Sequence, residues 1–178
     1  MPDQTAQICS RIFHDLASPL GAISAGIELA AMSGPLNDEH LLMSDSAKAA
    51  LLKLSFFRWA FGNPGGGSVS TPQLKETLAG IAPKVEVQGL PSHGISARDA
   101  KILALGVGFC SDRRAVPATI IYDDAGDTTV VVPGKISPPS DEDASTFGAF
   151  LFDQIVGGFV RSAQTQRGLE FTLQPVHL

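Results

Sequence analysis

Disulfide scaffolding is ruled out first. The 178 residues hold two cysteines, Cys9 and Cys110, too few for a stapled framework, so the expectation is reduced thiols in a cytoplasmic protein. No His/Cys cluster has metal-ligand spacing, which leaves no expected metal. Basic charge is scarce as well. Thirteen Lys+Arg against 18 Asp+Glu give a net charge of −5, a poor match to a phosphate backbone, so nucleic acid is not an expected partner. No apolar run reaches the roughly 20 residues of a membrane span. The N-terminal Met1-Pro2-Asp3-Gln4 lacks the basic start and apolar stretch of a signal peptide, and no membrane association is expected. What the chain has is apolar content. At 44% hydrophobic and 17% charged residues it has enough for a core, in one domain or two small ones.

Between Asp3 and Ser33 the only strong helix breaker is Pro19, apart from scattered glycines. Cys9, Phe13, Leu16, Leu20, Ile23, Ile27 and Ala30 recur with gaps of 4, 3, 4, 3, 4, 3, a heptad seam on one long helix. Ser33-Gly34-Pro35 stops it, and Asn37 or Asp38 caps a second helix. Met43, Ala47, Ala50, Leu54, Phe57 and Phe61 carry the same spacing. Residues 1–62 therefore read as an antiparallel helical hairpin, 63–70 as a glycine-rich linker, and 71–178 as a second domain. A lone hairpin of ~60 residues buries too little surface to stand alone. Ile8, Ile12, Leu29, Leu51, Leu52, Phe56 and Trp59 lie off the seam. A second copy would cover them, so a homodimer with a four-helix-bundle core is expected.

After the linker the pattern shortens. Thr71 as cap and Pro72 at the first helical position open a helix. Lys84–Gln88 alternates like a strand. Ser96, with Asp99 in the capping-box position, starts a helix running to about Arg113. Ala118–Tyr122 and Thr128–Val132 flank a turn at Asp123–Asp127. Asp141-Glu142-Asp143 opens a helix expected to reach Ser162, and Leu169–Leu173 is a last strand. The fold class is α+β, with a mixed, mostly antiparallel sheet covered by helices on one face.

The chemistry concentrates in Arg11-Ile12-Phe13-His14-Asp15-Leu16-Ala17-Ser18-Pro19-Leu20. With Phe13 on the seam, His14 and Ser18 fall on the solvent side. Arg11, His14, Ser18, Gly21 and Ala25 share one ridge. Such an imidazole is wet and reachable. Asp15 can turn its carboxylate onto one ring nitrogen, which fixes the tautomer and leaves the other nitrogen as nucleophile. Pro19 removes the hydrogen bond to the Asp15 carbonyl and should bend the helix there. Ser18, Gly21, Ala22 and Ala25 are small and leave a flat apron beside His14, suited to a protein partner rather than a small molecule.

His14-Asp15-Leu16-x-x-Pro19-Leu20-x-Ala22-Ile23 resembles the phosphoacceptor box of histidine-kinase dimerisation domains. The longer stretch Cys9–Ile23, with Glu28-Leu29 and with Phe57-Arg58-x-Ala60-Phe61-Gly62 on the second helix, is similar to the ChpT-type bacterial histidine phosphotransferases. The resemblance implies a dimeric four-helix bundle followed by an α/β sandwich like a degenerate, Bergerat-like kinase ATPase domain. It also implies a phosphorelay in which His14 takes phosphate from the receiver aspartate of a hybrid kinase and passes it to a response regulator. Asp15 would orient the ring, and Arg11 would neutralise phosphoryl oxygens or be an exposed solubilising charge. Ser18 would bond locally or near the phosphate. Gly21, Ala22 and Ala25 would form the partner surface, with Glu28 as a rim contact of it or merely a solvated face.

An active kinase of this type needs a helical asparagine for magnesium, an Asp-x-Gly-x-Gly run and a glycine-rich lid. The only asparagines are Asn37 and Asn63, both near the hairpin. Asp124-Ala125-Gly126-Asp127 breaks off after its first glycine, and Gly65-Gly66-Gly67-Ser68 lacks a P-loop lysine. Gly106-Val107-Gly108 reads as close helix packing. ATP is therefore not expected as a cofactor, and the magnesium for transfer is expected from the partner receiver. His40, His93 and His177 lie near turns or the terminus, and no Gly-x-Ser-x-Gly elbow occurs. Phe56, Phe57, Trp59 and Phe61 read as packing, and Cys110 as a small buried apolar residue. The alternative to a phosphotransferase is a dimeric scaffold that binds receivers and inhibits transfer without carrying phosphate.

Overall fold

The computed structural model describes residues 4–35, 37–63, 65–113, 117–123, 129–134, 136–142 and 145–173. The chain divides into two compact units, Met1–Asn63 and Pro64–Leu178.

The first unit is a helical hairpin. Helix α1 spans Gln4–Ser33, running through Pro19 as one element, and α2 spans Asp38–Phe61. Asn37 caps α2, its side chain accepting a hydrogen bond from the His40 amide at 2.9 Å, a bond whose removal costs about 1 kcal/mol in typical helices. At the other end the Asn63 amide donates to Ser10 Oγ at 2.9 Å, tying the last residue of the hairpin to the start of α1. Ile27 and Ala47 are buried between the helices, and Phe13, Leu20, Leu54 and Phe61 are half-buried.

The seam is only partly closed within one chain. Leu16, Ile23, Ala30 and Met43, expected on it, are exposed. Of the off-seam residues expected to need a second copy, Phe56 and Trp59 are already buried and Leu51 and Leu52 half-buried. Ile8, Ile12 and Leu29 do stay exposed. The apolar content of α1 is high enough that Ile8–Ser33, with a mean hydropathy of 1.3, could cross a membrane by length and composition. The expectation of no such stretch is corrected accordingly: isolated charges such as Glu28 interrupt the apolar run, yet the helix as a whole keeps the hydropathy of a span.

The second unit opens inside the expected linker. Ser68–Val69 forms β1, paired antiparallel with β3 (Ile95–Ser96). A two-residue strand is too short to leave a period-2 signature. Helix α3 spans Thr71–Ile81, and its cap is Ser70 rather than Thr71. Thr71 is already helical, and its hydroxyl donates to the Pro91 carbonyl. Strand β2 is Val85–Gln88, and α4 is Ala97–Asp112. Ser96 caps α4 by accepting from the Asp99 amide at 3.1 Å. The reciprocal half of the expected capping box goes elsewhere, since the Asp99 carboxylate accepts the Tyr122 hydroxyl at 3.0 Å.

Strands β4 (Ala118–Asp123) and β5 (Thr129–Val132) follow. The turn expected between them lies at 124–128, outside the described residues. Helix α5 covers only Thr146–Val156, capped by Ser145. The expected extension to Ser162 fails at Gly157-Gly158, where Gly158 takes φ +75°, a conformation glycine adopts at little cost. Val160–Gln164 is instead strand β6, paired with β7 (Leu169–Leu173).

The sheet order is β2-β4-β5-β7-β6, with β2 and β4 parallel and every other pair antiparallel. Ala118, Ile120 and Tyr122 of β4 and Leu169, Phe171 and Leu173 of β7 are buried, while the residues between them are half-buried or exposed. This alternation marks a sheet with one covered face. Helix α4 is sunk into the core, every residue from Ala100 to Cys110 being buried, and it touches α3, α5 and the sheet. Gly108 is where α5 comes closest: a Cβ there would lie 2.2 Å from the Phe147 ring. At Gly106 a Cβ would meet nothing within 4 Å, so close packing explains only one of the two glycines. Burial pushes the Cys110 thiol up to about 12, leaving it un-ionised and inert at neutral pH. The fold class is α+β.

Candidate functional site

His14 stands on α1 with its side chain 85% exposed. Its placement follows from the register. Phe13, Ala17, Leu20, Ser24 and Ile27 are all half-buried or buried on the side toward α2. At about 100° per residue, His14 falls on the flank of that stripe. Ser18, Gly21, Ala25 and Glu28 follow it up the same flank.

Asp15 sits between two partners. Its Oδ1 lies 3.4 Å from His14 Nδ1, and its Oδ2 accepts from Arg11 Nε at 2.9 Å. The Arg11 hydrogen bond, reinforced by the one to His14, holds the Asp15 carboxyl below its ordinary range. A depressed carboxyl pKa favours the structure only where the carboxylate is ionised. The benefit is present above the ordinary carboxylate range and is lost as pH falls through the lowered value. The side chains are exposed, 79% for Arg11 and 53% for Asp15, so this is an orienting contact rather than a source of stability. Arg11→Ala is therefore expected to move the Asp15 titration midpoint up toward the ordinary carboxyl value. Carboxyl-carbon NMR against pH reads the shift, and an unmoved midpoint would remove Arg11 as its cause.

The contact places the acceptor nearest Nδ1. With a proton on Nδ1 shared toward Asp15, the Nε2 lone pair points away from the carboxylate into water. That is the arrangement of an oriented nucleophile.

The other residues named from sequence fall around it. Ser18 and Ala22 are exposed, and Gly21 is half-buried with nothing within 4 Å of where its Cβ would be. Ala25 and Glu28 are exposed. His40 and His93 are exposed near turns, and His177 lies outside the described residues. Among the described residues no group of three or more His, Cys, Asp or Glu could hold a metal ion.

A feature absent from the sequence reading is an open apolar groove of about 370 Å³ along the hairpin, lined by Leu20, Ile23, Leu42, Met43, Ser46, Ala47 and Ala50. Seen along α1, Ile23 falls on the side of the α2-facing stripe opposite to His14. The histidine and the groove thus occupy different flanks of the hairpin. The signal available in sequence was the run Leu41-Leu42-Met43, apolar where a solvent-facing turn of helix would be polar.

No family model matches the chain. Over 67 residues it is 45% identical to a protein of Brucella abortus (strain 2308) named protein phosphotransferase ChpT. The matched stretch is 38% of this chain and spans about a third (32%) of that relative's length. A solved structure described as a bacterial phosphotransferase at 1.7 Å aligns with 93% of this chain and 93% of its own, at 19% identity and a TM-score of 0.49.

Proposed function

We propose that this chain is a ChpT-type histidine phosphotransferase of a bacterial two-component phosphorelay. His14 accepts a phosphoryl group from the aspartyl phosphate of a hybrid kinase's receiver domain and delivers it to a response regulator. The observation that carries this reading is the 85% exposed His14 ring with Asp15 Oδ1 at 3.4 Å from Nδ1. The 45% identity to a protein named phosphotransferase supports it.

The chemistry follows from that geometry. Nε2 attacks phosphorus in line as the P–O bond to the receiver aspartate breaks, and a P–N bond forms. The proton on Nδ1 stays beside Asp15, which offsets the positive charge gained by the ring. The transition state is loose, so positioning and charge neutralisation supply most of the rate. Magnesium is supplied by the receiver, and this chain needs no ATP. Ser18, Gly21, Ala22, Ala25 and Glu28 form the surface on which the receiver lands.

In this reading the chain works as a homodimer in the cytoplasm. The apolar groove and the exposed Ile8, Ile12, Leu16 and Ile23 are covered by a second hairpin to complete a four-helix bundle, with the ATPase-like layer appended. That pairing also accounts for the membrane-like hydropathy of α1 without a membrane.

The test is the route by which phosphate arrives. Receiver domains loaded with labelled phosphate, in the presence of magnesium, are expected to label the protein. Labelled ATP with magnesium is expected to leave it blank. Direct labelling by ATP would make it a kinase, and failure of every receiver to label it would leave the scaffold reading instead.

A further inference from the structure

The ion pair of Arg11 with Asp15 poses a question of charge. A phosphoryl group on His14 brings about two negative charges at neutral pH. The Arg11 guanidinium is already matched through its Nε by the Asp15 carboxylate at 2.9 Å. Together these two groups are neutral, so α1 offers the phosphate no uncompensated cation at this level.

Helix α2 does. Ala47, Leu51, Leu54 and Arg58 are spaced 4, 3, 4 along it, one stripe of a helix. Ala47 is buried, and Leu51 and Leu54 half-buried, on that stripe. Arg58 occupies the next position on that line, directly after the seam residue Phe57, and it is exposed. It forms no side-chain hydrogen bond or ion pair among the described residues.

The level of Arg58 is fixed by the tie at the open end of the hairpin. The Asn63 amide donates to Ser10 Oγ at 2.9 Å, and a Cβ on Gly62 would lie 3.2 Å from the same oxygen. Four residues from Ser10 toward the hairpin turn is His14. Four residues from Gly62 toward the same turn is Arg58. Each step is about 6 Å along antiparallel axes, so the two residues are level.

They are also on one flank. In antiparallel helices facing each other, increasing angle on either helix turns toward the same side of the pair. His14 lies on the increasing side of the α1 stripe, and Arg58 lies about 40° to the increasing side of the seam line through Ala47, Leu54 and Phe61, whereas Ile23 and Ala50, in the groove, lie on the other. A long arginine can bury its stem along the stripe and present its fork at the rim.

We propose that Arg58 is the phosphoryl-binding guanidinium of this site. It reaches from α2 to the oxygens of the group on His14 and neutralises them as transfer proceeds. This deepens the phosphotransferase reading and rests on it. In the step itself Arg58 gains and loses no proton. The P–O bond to the receiver aspartate breaks, the P–N bond to His14 forms, and the receiver carboxylate leaves with its electron pair. The guanidinium donates hydrogen bonds to the oxygens whose charge it offsets.

The experiment is single-turnover transfer from a receiver domain preloaded with labelled acetyl phosphate and magnesium, using the receiver that labels the wild-type chain fastest. Arg58→Ala is expected to lower the rate at saturating receiver about tenfold or more. Arg58→Lys is expected to recover part of it, and helicity and thermal midpoint should be unchanged. If Arg58→Ala does not fold, Arg58→Gln takes its place with the same expectation. A wild-type chain that no receiver labels overturns the phosphotransferase reading and this inference with it. A labelled wild type with Arg58→Ala, or Arg58→Gln in its place, transferring at the same rate overturns the role of Arg58 alone.

Discussion

His14→Gln is expected to abolish acid-labile phosphate on the protein while leaving its fold and oligomeric state unchanged. The reasoning is local. The ring is 85% exposed, so its replacement removes almost no buried surface and surface changes of this kind sit within about 0.5 kcal/mol. The amide of glutamine approximates the size of the imidazole but offers no basic nitrogen to attack phosphorus. Transfer should therefore fall to background, an effect far larger than any change in stability. Labelling from a phosphorylated receiver, run beside circular dichroism and light scattering, separates the outcomes. A variant that still accepts phosphate would place the acceptor on another residue. A variant that loses its oligomeric state would make His14 structural.

The second large effect is expected on the opposite flank. Ile23 and Met43 are 50% and 52% exposed in the single chain, and Ile23 and Met43 both line the apolar groove. In an isolated hairpin both positions tolerate a charge. In a bundle of two hairpins a glutamate at each would bury unpaired carboxylates, each costing on the order of 2 kcal/mol or more. Four such groups per dimer should weaken self-association by more than about a thousandfold. The double variant Ile23→Glu/Met43→Glu is expected to remain helical and to sediment as a monomer where the wild type sediments as a dimer. Wild type and variant sedimenting alike would exclude this groove as the dimer interface.

What the sequence made legible was whatever repeats. The two heptad series located both helices of the hairpin, and the register put His14 on the solvent side before any coordinates. Ser33-Gly34-Pro35 and Asn37 marked the turn because their backbone preferences are strong and local. The sheet was harder. Strands β1 and β3 have two residues each, a single cycle of the strand alternation and too short to show a repeat. Strand β6 follows directly on α5, and Val160-Arg161-Ser162 carries no period that separates it from more helix. Only Gly157-Gly158-Phe159 divides them, and a glycine pair reads as a stop only once its conformation is known. Tertiary hydrogen bonds were equally invisible. Asp99 has the spacing of a capping box, yet Tyr122, 23 residues away along the chain, takes its carboxylate. At the site, spacing put Asp15 beside His14, but spacing alone could not show that Arg11 is spent on Asp15. Nor could it show that Arg58 stands level with the ring, because that alignment depends on the Ser10–Asn63 tie across 53 residues.

An imidazole held out in water has no wall around it. Whatever labile group it carries meets bulk solvent on the sides that the small residues Ser18 and Gly21 leave uncovered. Hydrolysis then competes with onward delivery at every moment. In the phosphotransferase reading, the loaded fraction of His14 follows the current balance between supply and removal.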